Sequence, residues 1–250
     1  MKLLTADIET SPNLMHVWSL FQKGPLNQQM IIESSRMISF ASKWAGTSDY
    51  QYGSVYHTGQ SQMVHMAWAL LDECDAIIHY NGKRFDVPML NREFLLLGLT
   101  PPSPYRQIDL YSTIKHRFGF PSGKLDYVST ELGIGSKVAH SGYSLWAKCI
   151  LQNDPEAWEL MKSYNIGDVD LTEQLYYKLL PWIEKHPVKV TDEEELKCIN
   201  CESTNMIRQG FAYTQARKHQ RYRCNNCGKW QKSSKSEPGF SAKMSEVQSG

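Results

Sequence analysis

No stretch of the 250 residues approaches the ~18 consecutive apolar side chains of a membrane-spanning helix. Met1-Lys2 leads straight into a strand-like segment and not into the apolar core of a secretion signal. Cysteine is sparse, six residues in all, and a secreted disulfide scaffold is disfavoured. Also missing are the phosphate-cradling Gly-x-x-x-x-Gly-Lys-Ser/Thr, the Gly-x-Ser-x-Gly elbow and His-Glu-x-x-His, so the chemistries they serve have no support. Five of the histidines, His57, His65, His79, His116 and His140, are scattered without metal-ligand spacing. There is no internal repeat. With 41% hydrophobic and 21% charged residues the composition is that of a folded chain, expected to be soluble and cytoplasmic.

Charge is unevenly spread. From Lys197 to Lys235 nine basic residues stand against Glu202 alone, a balance of +8; the remainder carries 18 basic and 25 acidic residues, or −7. An acidic body with a basic module points to cations held by the one and a polyanion met by the other.

The body reads as a mixed-sheet α/β domain. Strands are expected over residues 2–10, 13–21, 37–44, 52–57 and 76–80, with a short one before Asp109. Helices are expected over 60–72, 87–97 closed by Gly98, 110–118 and 124–132. A last long helix starts at Asp154-Pro155 and runs to Pro181. The domain is placed at 1–187, a linker at 188–196, a cysteine module at 197–232 and a disordered tail at 233–250.

Three sets of acids interrupt this pattern. Asp7 and Glu9 are two apart on a strand and share a face, opposite Leu4, Ala6 and Ile8. Asp86 sits where the strand ending in His79-Tyr-Asn-Gly turns into a helix; it is placed to cap that helix, a role compatible with metal binding. Asp168 breaks the apolar stripe Ala157, Met161, Tyr164, Leu171, Leu175, with Tyr164 one turn before it. A core tyrosine bonded to an aspartate is the plain alternative. Asp170 and Glu173 lie off that stripe and read as solvated. Acids from a strand, a turn and a helix can converge on hard divalent ions, and two such ions ~3.5–4 Å apart support in-line phosphodiester displacement.

Cys198-x-x-Cys201 and Cys224-x-x-Cys227 are separated by 22 residues. Two knuckles supply four thiolates, a closed tetrahedral set suited to one structural zinc. Arg208, Arg217, Lys218, Arg221, Arg223 and Lys229 are interleaved with Phe211, Tyr213, Tyr222 and Trp230, which is the mix of cations and aromatic faces that single-strand binding uses. A merely solvated basic surface is the alternative. Cys74 and Cys149 are expected in the core. Lys83, in the Asn-Gly turn, and Lys137, in the Gly-rich loop 133–142, are further candidate contacts to a strand backbone.

Asp7-Ile-Glu9-Thr, Asn81-Gly-x-x-Phe85-Asp86-x-Pro88 and Tyr164-x-x-x-Asp168 occur in that order. Together they resemble the three motifs of the DEDD (DnaQ-like) 3′–5′ exonucleases, most nearly the proofreading domain of family B DNA polymerases, over about residues 1–183. Ile108-Asp109-Leu-Tyr and Lys124-Leu-Asp-Tyr-Val resemble intervening segments of these domains, with Asp109 read as structural. The resemblance implies a ribonuclease H-like fold and two Mg²⁺ or Mn²⁺ ions. Asp7, Glu9 and Asp168 would hold one ion; Asp7 would bridge to the second, held by Asp86 largely through water, and Tyr164 would orient the attacking water. The alternative subgroup has histidine five residues before the last Asp, where this chain has Ser163, so the tyrosine subgroup is implied. Arg221-Tyr-Arg-Cys-x-x-Cys-Gly228 resembles the second knuckle of transposase-type zinc ribbons. The function expected is hydrolysis of single-stranded 3′ ends, DNA before RNA, in bacterial or phage DNA metabolism with replication or repair partners and no membrane. An RNA 3′-end trimming enzyme and a non-catalytic nucleic-acid adaptor are the other readings.

Overall fold

The computed structural model describes residues 1–21, 24–139, 141–184, 186–187, 196–214 and 217–237. Strands β1 (Leu3–Thr10), β2 (Leu14–Met15), β3 (Ile31–Glu33), β4 (Met37–Trp44) and β5 (Tyr50–Ser54) come first. They are followed by α1 (Gln60–Glu73), β6 (Ala76–His79), α2 (Asp86–Leu96), β7 (Arg106–Asp109), α3 (Leu110–Arg117) and α4 (Leu125–Glu131). After α5 (Tyr143–Ala147) comes a π-helical turn, Lys148–Gln152, then α6 (Pro155–Leu179) and a 3₁₀ turn, Leu180–Trp182. Strands β8 (Met206–Tyr213), β9 (Lys218–Cys224) and β10 (Trp230–Lys232) complete the set. Close packing divides the chain into two units, Met1–Tyr177 and Lys178–Gly250.

In the first unit five strands lie in the order β5-β4-β1-β6-β7. Strand β1 is antiparallel to β4 and parallel to β6, and the β6–β7 pair is parallel, so the sheet is mixed. Its alternation sends Leu4, Ala6 and Ile8 into a core with Phe40, Met63, Val64, Leu71, Leu90 and Phe94. Asp7, Glu9, Ser39 and Lys43 project from the other face, which α6 covers: Ser39 and Lys43 both bond side chains of that helix. The register slips where Glu9 pairs with Ser39 but Thr10 with Met37, leaving Ile38 as the extra residue of a bulge. Ile38 thereby packs with Leu145, Cys149, Trp158 and Met161.

Most expected elements are present, with four corrections. The strand expected over 13–21 shrinks to Leu14–Met15, because the chain leaves the sheet after the bulge; Trp18 is 96% exposed. The strand expected over 52–57 ends at Ser54, where Thr58 and Gly59 N–H groups close a turn on the Ser54 carbonyl. Helical residues 143–152 had no periodic signal. Glu173, expected in solvent, is buried: Lys43 Nζ lies 2.6 Å from Glu173 Oε2 and 3.0 Å from Asp170 Oδ1, and the Gly46 N–H donates to Glu173 at 2.7 Å. Asp154 caps α6 as expected, accepting from the Glu156 N–H at 3.0 Å.

The second unit is a three-stranded antiparallel sheet, β10-β9-β8, beside the paired knuckles. Asn200 Nδ2 donates to the Leu180 carbonyl, and Lys229 Nζ to those of Pro181 and Ile183, which is why residues 180–183 group with the ribbon. Within the expected tail, the Ser233 N–H donates to Gln220 and the Glu237 N–H to Lys218, so residues 233–237 run along β9. The rest of that tail and most of the expected linker lie outside the described residues. Among the described residues no helix is long and apolar enough to cross a membrane.

Candidate active site

Strand β1 and helix α6 bring three acids together. One carboxylate oxygen each from Asp7, Glu9 and Asp168 lie within 4.8 Å of one another. Asp7 and Glu9 reach the helix because strand alternation points both at it; Asp168 meets them because it occupies the inward stripe of α6, 2% exposed. Asp86 stands outside this trio but close enough to repel Asp7 and Glu9. It is the first helical residue of α2 and not its cap, since the N-cap position falls on Phe85. Asp86 Oδ1 instead accepts the Ile8 N–H at 3.3 Å, tying the start of α2 to the strand that carries Asp7 and Glu9.

The turn that delivers Asp86 is firmly held. Asn81 adopts φ 64°, and its N–H donates to Asp109 Oδ1 at 3.0 Å. The Gly82 N–H donates to His79 Nδ1 at 3.0 Å, and a Cβ at Gly82 would come within 2.6 Å of the imidazole. Asp109 also accepts from the Ser112 N–H and so caps α3, the structural role expected for it.

Electrostatics is dominated by burial. Desolvation, then repulsion from Asp168, Asp86 and Glu9, raises the Asp7 carboxyl well above the usual carboxylate range. Burial and Asp168 push Glu9 up to about 8, and burial pushes Asp86 up to about 6. Lys137 supplies the opposing charge: its Nζ donates to Asp168 Oδ2 at 2.5 Å and to the Tyr164 hydroxyl at 3.0 Å. Burial disfavours its ammonium, yet the Asp168 carboxylate outweighs that and holds the lysine above its ordinary value. The Gly-rich loop before α5, expected only to brush a nucleic-acid backbone, therefore inserts its lysine among the acids. The Lys137 N–H is fixed to Asp126, and Gly135 and Gly167 allow the loop to lie close on α6. Tyr164 sits beside Asp168 as expected, edge-on to Trp146, its phenol pushed up to about 12 by burial and Asp168.

One residue of the site escaped the sequence reading. Asn165, fully buried, donates through Nδ2 to Asp7 Oδ2 at 2.7 Å and accepts the Ser39 hydroxyl at 2.6 Å. Its signal was position alone, three residues before Asp168 on the same helix. A cleft of about 670 Å³ opens beside the trio, lined by Asp7, Asp168, Tyr164, Lys137, Asn81, Tyr80, Tyr111 and Lys124 among others. Lys83 is exposed on the Asn81 turn and does not line it.

Three crowded carboxylates, with Asp7 and Glu9 raised first by burial and then by like charge, form a donor set fit for hard divalent cations. The four cysteines form a second and separate set, with Sγ atoms all within 4.8 Å, Cys198 3.6 Å from Cys227 and Cys201 3.6 Å from Cys224. Four thiols closing on one point suit a soft tetrahedral ion without an open position.

The family model described as the RNase_H superfamily matches residues 37–180, more than half of the chain. The chain belongs to the RNase H superfamily. Its fold is accordingly ribonuclease H-like, a mixed five-stranded sheet with flanking helices, and the cysteine cluster after it is compatible with a zinc ribbon. Membership supports a nuclease with a nucleic-acid substrate. The structure of the family B DNA polymerase from the hyperthermophilic archaeon Pyrobaculum calidifontis is similar, with a TM-score of 0.55 and 20% identity. The match covers 72% of this chain but 24% of the polymerase, and it speaks for the fold. No curated protein matches the sequence.

Proposed function

We propose that this chain is a divalent-metal-dependent 3′–5′ exonuclease of the tyrosine-type DEDD group, acting on single-stranded ends, DNA in preference to RNA. The observation that carries the reading is the meeting of Asp7, Glu9 and Asp168 within 4.8 Å, beside a cleft that Asp7 and Asp168 line. Asp7, Glu9 and Asp168 would hold one ion, and Asp86, with Asp7, the second. Bound Mg²⁺ or Mn²⁺ supplies Lewis-acid activation and charge neutralisation for displacement at phosphorus.

The chain's own residues do the rest. Asn165 holds the Asp7 carboxylate toward the cleft. The Tyr164 oxygen accepts from Lys137, which directs the phenolic hydrogen away from the lysine and makes it a donor able to orient a water. Lys137 keeps a positive charge among the acids for an approaching phosphate. A single strand would enter the cleft, and a duplex end would have to fray before its terminus reached the acids. The Cys198, Cys201, Cys224, Cys227 set would hold a structural zinc, and the basic ribbon would bind the same nucleic acid. DNA is favoured over RNA because the structurally similar polymerase is named for DNA.

The test is a gel assay with 5′-labelled single-stranded DNA and matching RNA, with Mg²⁺, Mn²⁺ or neither, beside Asp7→Asn. A metal-dependent ladder shortening from the 3′ end, absent in the variant, is expected. RNA shortening alone reverses the sugar preference. Binding of both strands with no shortening under any metal overturns the enzyme.

A further inference from the structure

The ribbon sheet has two unlike faces. In an antiparallel pair, directly opposed residues share a face. Trp230 opposes Arg223, Lys232 opposes Arg221, and Ile207 opposes Arg223 from the other side, so these five residues share one face. All five are exposed. The other face carries Tyr222, Arg208 and Gln231, and is backed by the first knuckle: Gln231 accepts the Ile199 N–H at 3.0 Å and donates to the Lys197 carbonyl at 3.0 Å.

Trp230 is already engaged on the open face. The Arg221 guanidinium lies 4.6 Å from its ring centroid and that of Arg223 5.9 Å. Arg221 Nε also donates to the Gln209 carbonyl at 3.0 Å. Among the described residues no ion pair involves Arg221, Arg223 or Lys232. Phe211, another aromatic expected to receive a base, is covered by Lys218 at 3.8 Å. The indole therefore braces guanidiniums whose charge is not neutralised, and rotamer freedom that an arginine would lose on binding is already restricted.

We infer that the Arg221–Arg223–Trp230–Lys232 face is a phosphate-backbone grip for nucleic acid, without base readout and without base stacking on Trp230. Each cation neutralises a phosphate and Trp230 keeps two of them in line. The proposal rests on the nucleic-acid reading of the ribbon, and replaces a stacking surface spread over both faces by an electrostatic one confined to a single face. The excess of +8 between Lys197 and Lys235 is the complement such a backbone requires.

The full-length chain, without added divalent metal so that no strand is cut, is titrated against fluorescein-labelled oligo(dT) at several salt concentrations and read by anisotropy. For single strands the log–log salt slope is about −0.7 per phosphate neutralised, so Arg221→Gln/Arg223→Gln is expected to flatten it by about 1.4. Affinity at moderate salt should fall at least about tenfold. Removing the same charge from the backed face, Arg208→Gln/Lys218→Gln, should cost less than about a third of that loss, as shown on chains with wild-type circular dichroism. Trp230→Leu keeps every cation and should weaken binding severalfold with an unchanged slope. Wild-type binding by the first double variant, equal loss from both faces, or an indifferent Trp230→Leu overturns the grip. Displacement by poly-glutamate as effective as by unlabelled DNA would make the face a protein-docking surface. Because nothing is hydrolysed, these outcomes are independent of whether the acidic cluster proves catalytic.

Discussion

The side-chain amide of Asn165 on α6 donates to Asp7 Oδ2 on β1 at 2.7 Å while its oxygen accepts the Ser39 hydroxyl at 2.6 Å on β4. One buried carboxamide thus locks two strands and a helix around the acid most surrounded by like charge. It fixes the orientation of the Asp7 carboxylate.

Asn165→Ala removes that lock without touching an acid. Groups that orient metal ligands typically contribute 10–100-fold, so activity at limiting Mg²⁺ should fall by about that factor. Much of it should return at high Mg²⁺, with KM for the oligonucleotide little changed. A titration of rate against Mg²⁺ checks this, and an unshifted half-saturation point would reduce Asn165 to a packing residue.

Lys137 competes with metal for the acids. In Lys137→Met the acids lose their internal cation, so the metal-free protein should melt at a lower temperature than wild type. Added Mg²⁺ should then raise the midpoint more in the variant, because a more negative site binds the ion more tightly and stabilisation follows binding. Calorimetry with and without Mg²⁺ decides it. Equal metal-induced shifts would mean that the lysine does not oppose the ion.

The Lys43–Glu173 pair is a stability element on the same sheet face. Breaking a buried pair by removing one partner costs about 3–5 kcal/mol, and Lys43→Ala should approach that range, since both side chains are only 8% exposed. The double change Lys43→Met/Glu173→Leu should recover most of the loss, because no deeply buried charge is then stranded: Asp170, the other partner of Lys43, is 34% exposed and keeps the Tyr50 hydroxyl. Urea unfolding of the three proteins provides the comparison.

His79 gives the fold an acid-sensitive joint. Burial lowers its pKa below the ordinary 6.5, against the opposing pull of Asp109 and Gln107 and with a smaller lowering from Lys83. The neutral ring accepts the Gly82 N–H, whereas protonation at Nδ1 would replace that acceptor with a donor. Below 6.5 the unfolded chain binds the proton more readily, so this contribution is full above 6.5 and is lost as pH falls through the depressed folded value. His79→Asn cannot titrate, and its melting temperature should fall less than that of wild type between pH 7.5 and 5.5.

Periodicity made the central part of this architecture legible. The alternation of Leu4, Ala6 and Ile8 against Asp7 and Glu9 and the four-three stripe through Asp168 place three acids with no further information. What stayed hidden was carried by partners distant in sequence. Glu173 looks solvated until Lys43, 130 residues earlier, is known to point at it. Asn165 and Lys137 carry no periodic signature, and only the close approach of β4 and of the Gly-rich loop to α6 gives them a role. On the ribbon, composition named the cations and aromatics, but only strand register sorts them onto two faces.

Asp109 ends β7, begins α3 and holds the turn before Asp86, using one oxygen for the Asn81 and Ser112 N–H groups. Local stability and site geometry therefore share a single atom. A substitution there cannot be neutral for one and harmful for the other, so this corner offers little room to vary activity independently of folding. Adaptation of the cleft to a new strand end would have to proceed through walls such as Lys124 and Leu125, which that carboxylate does not hold.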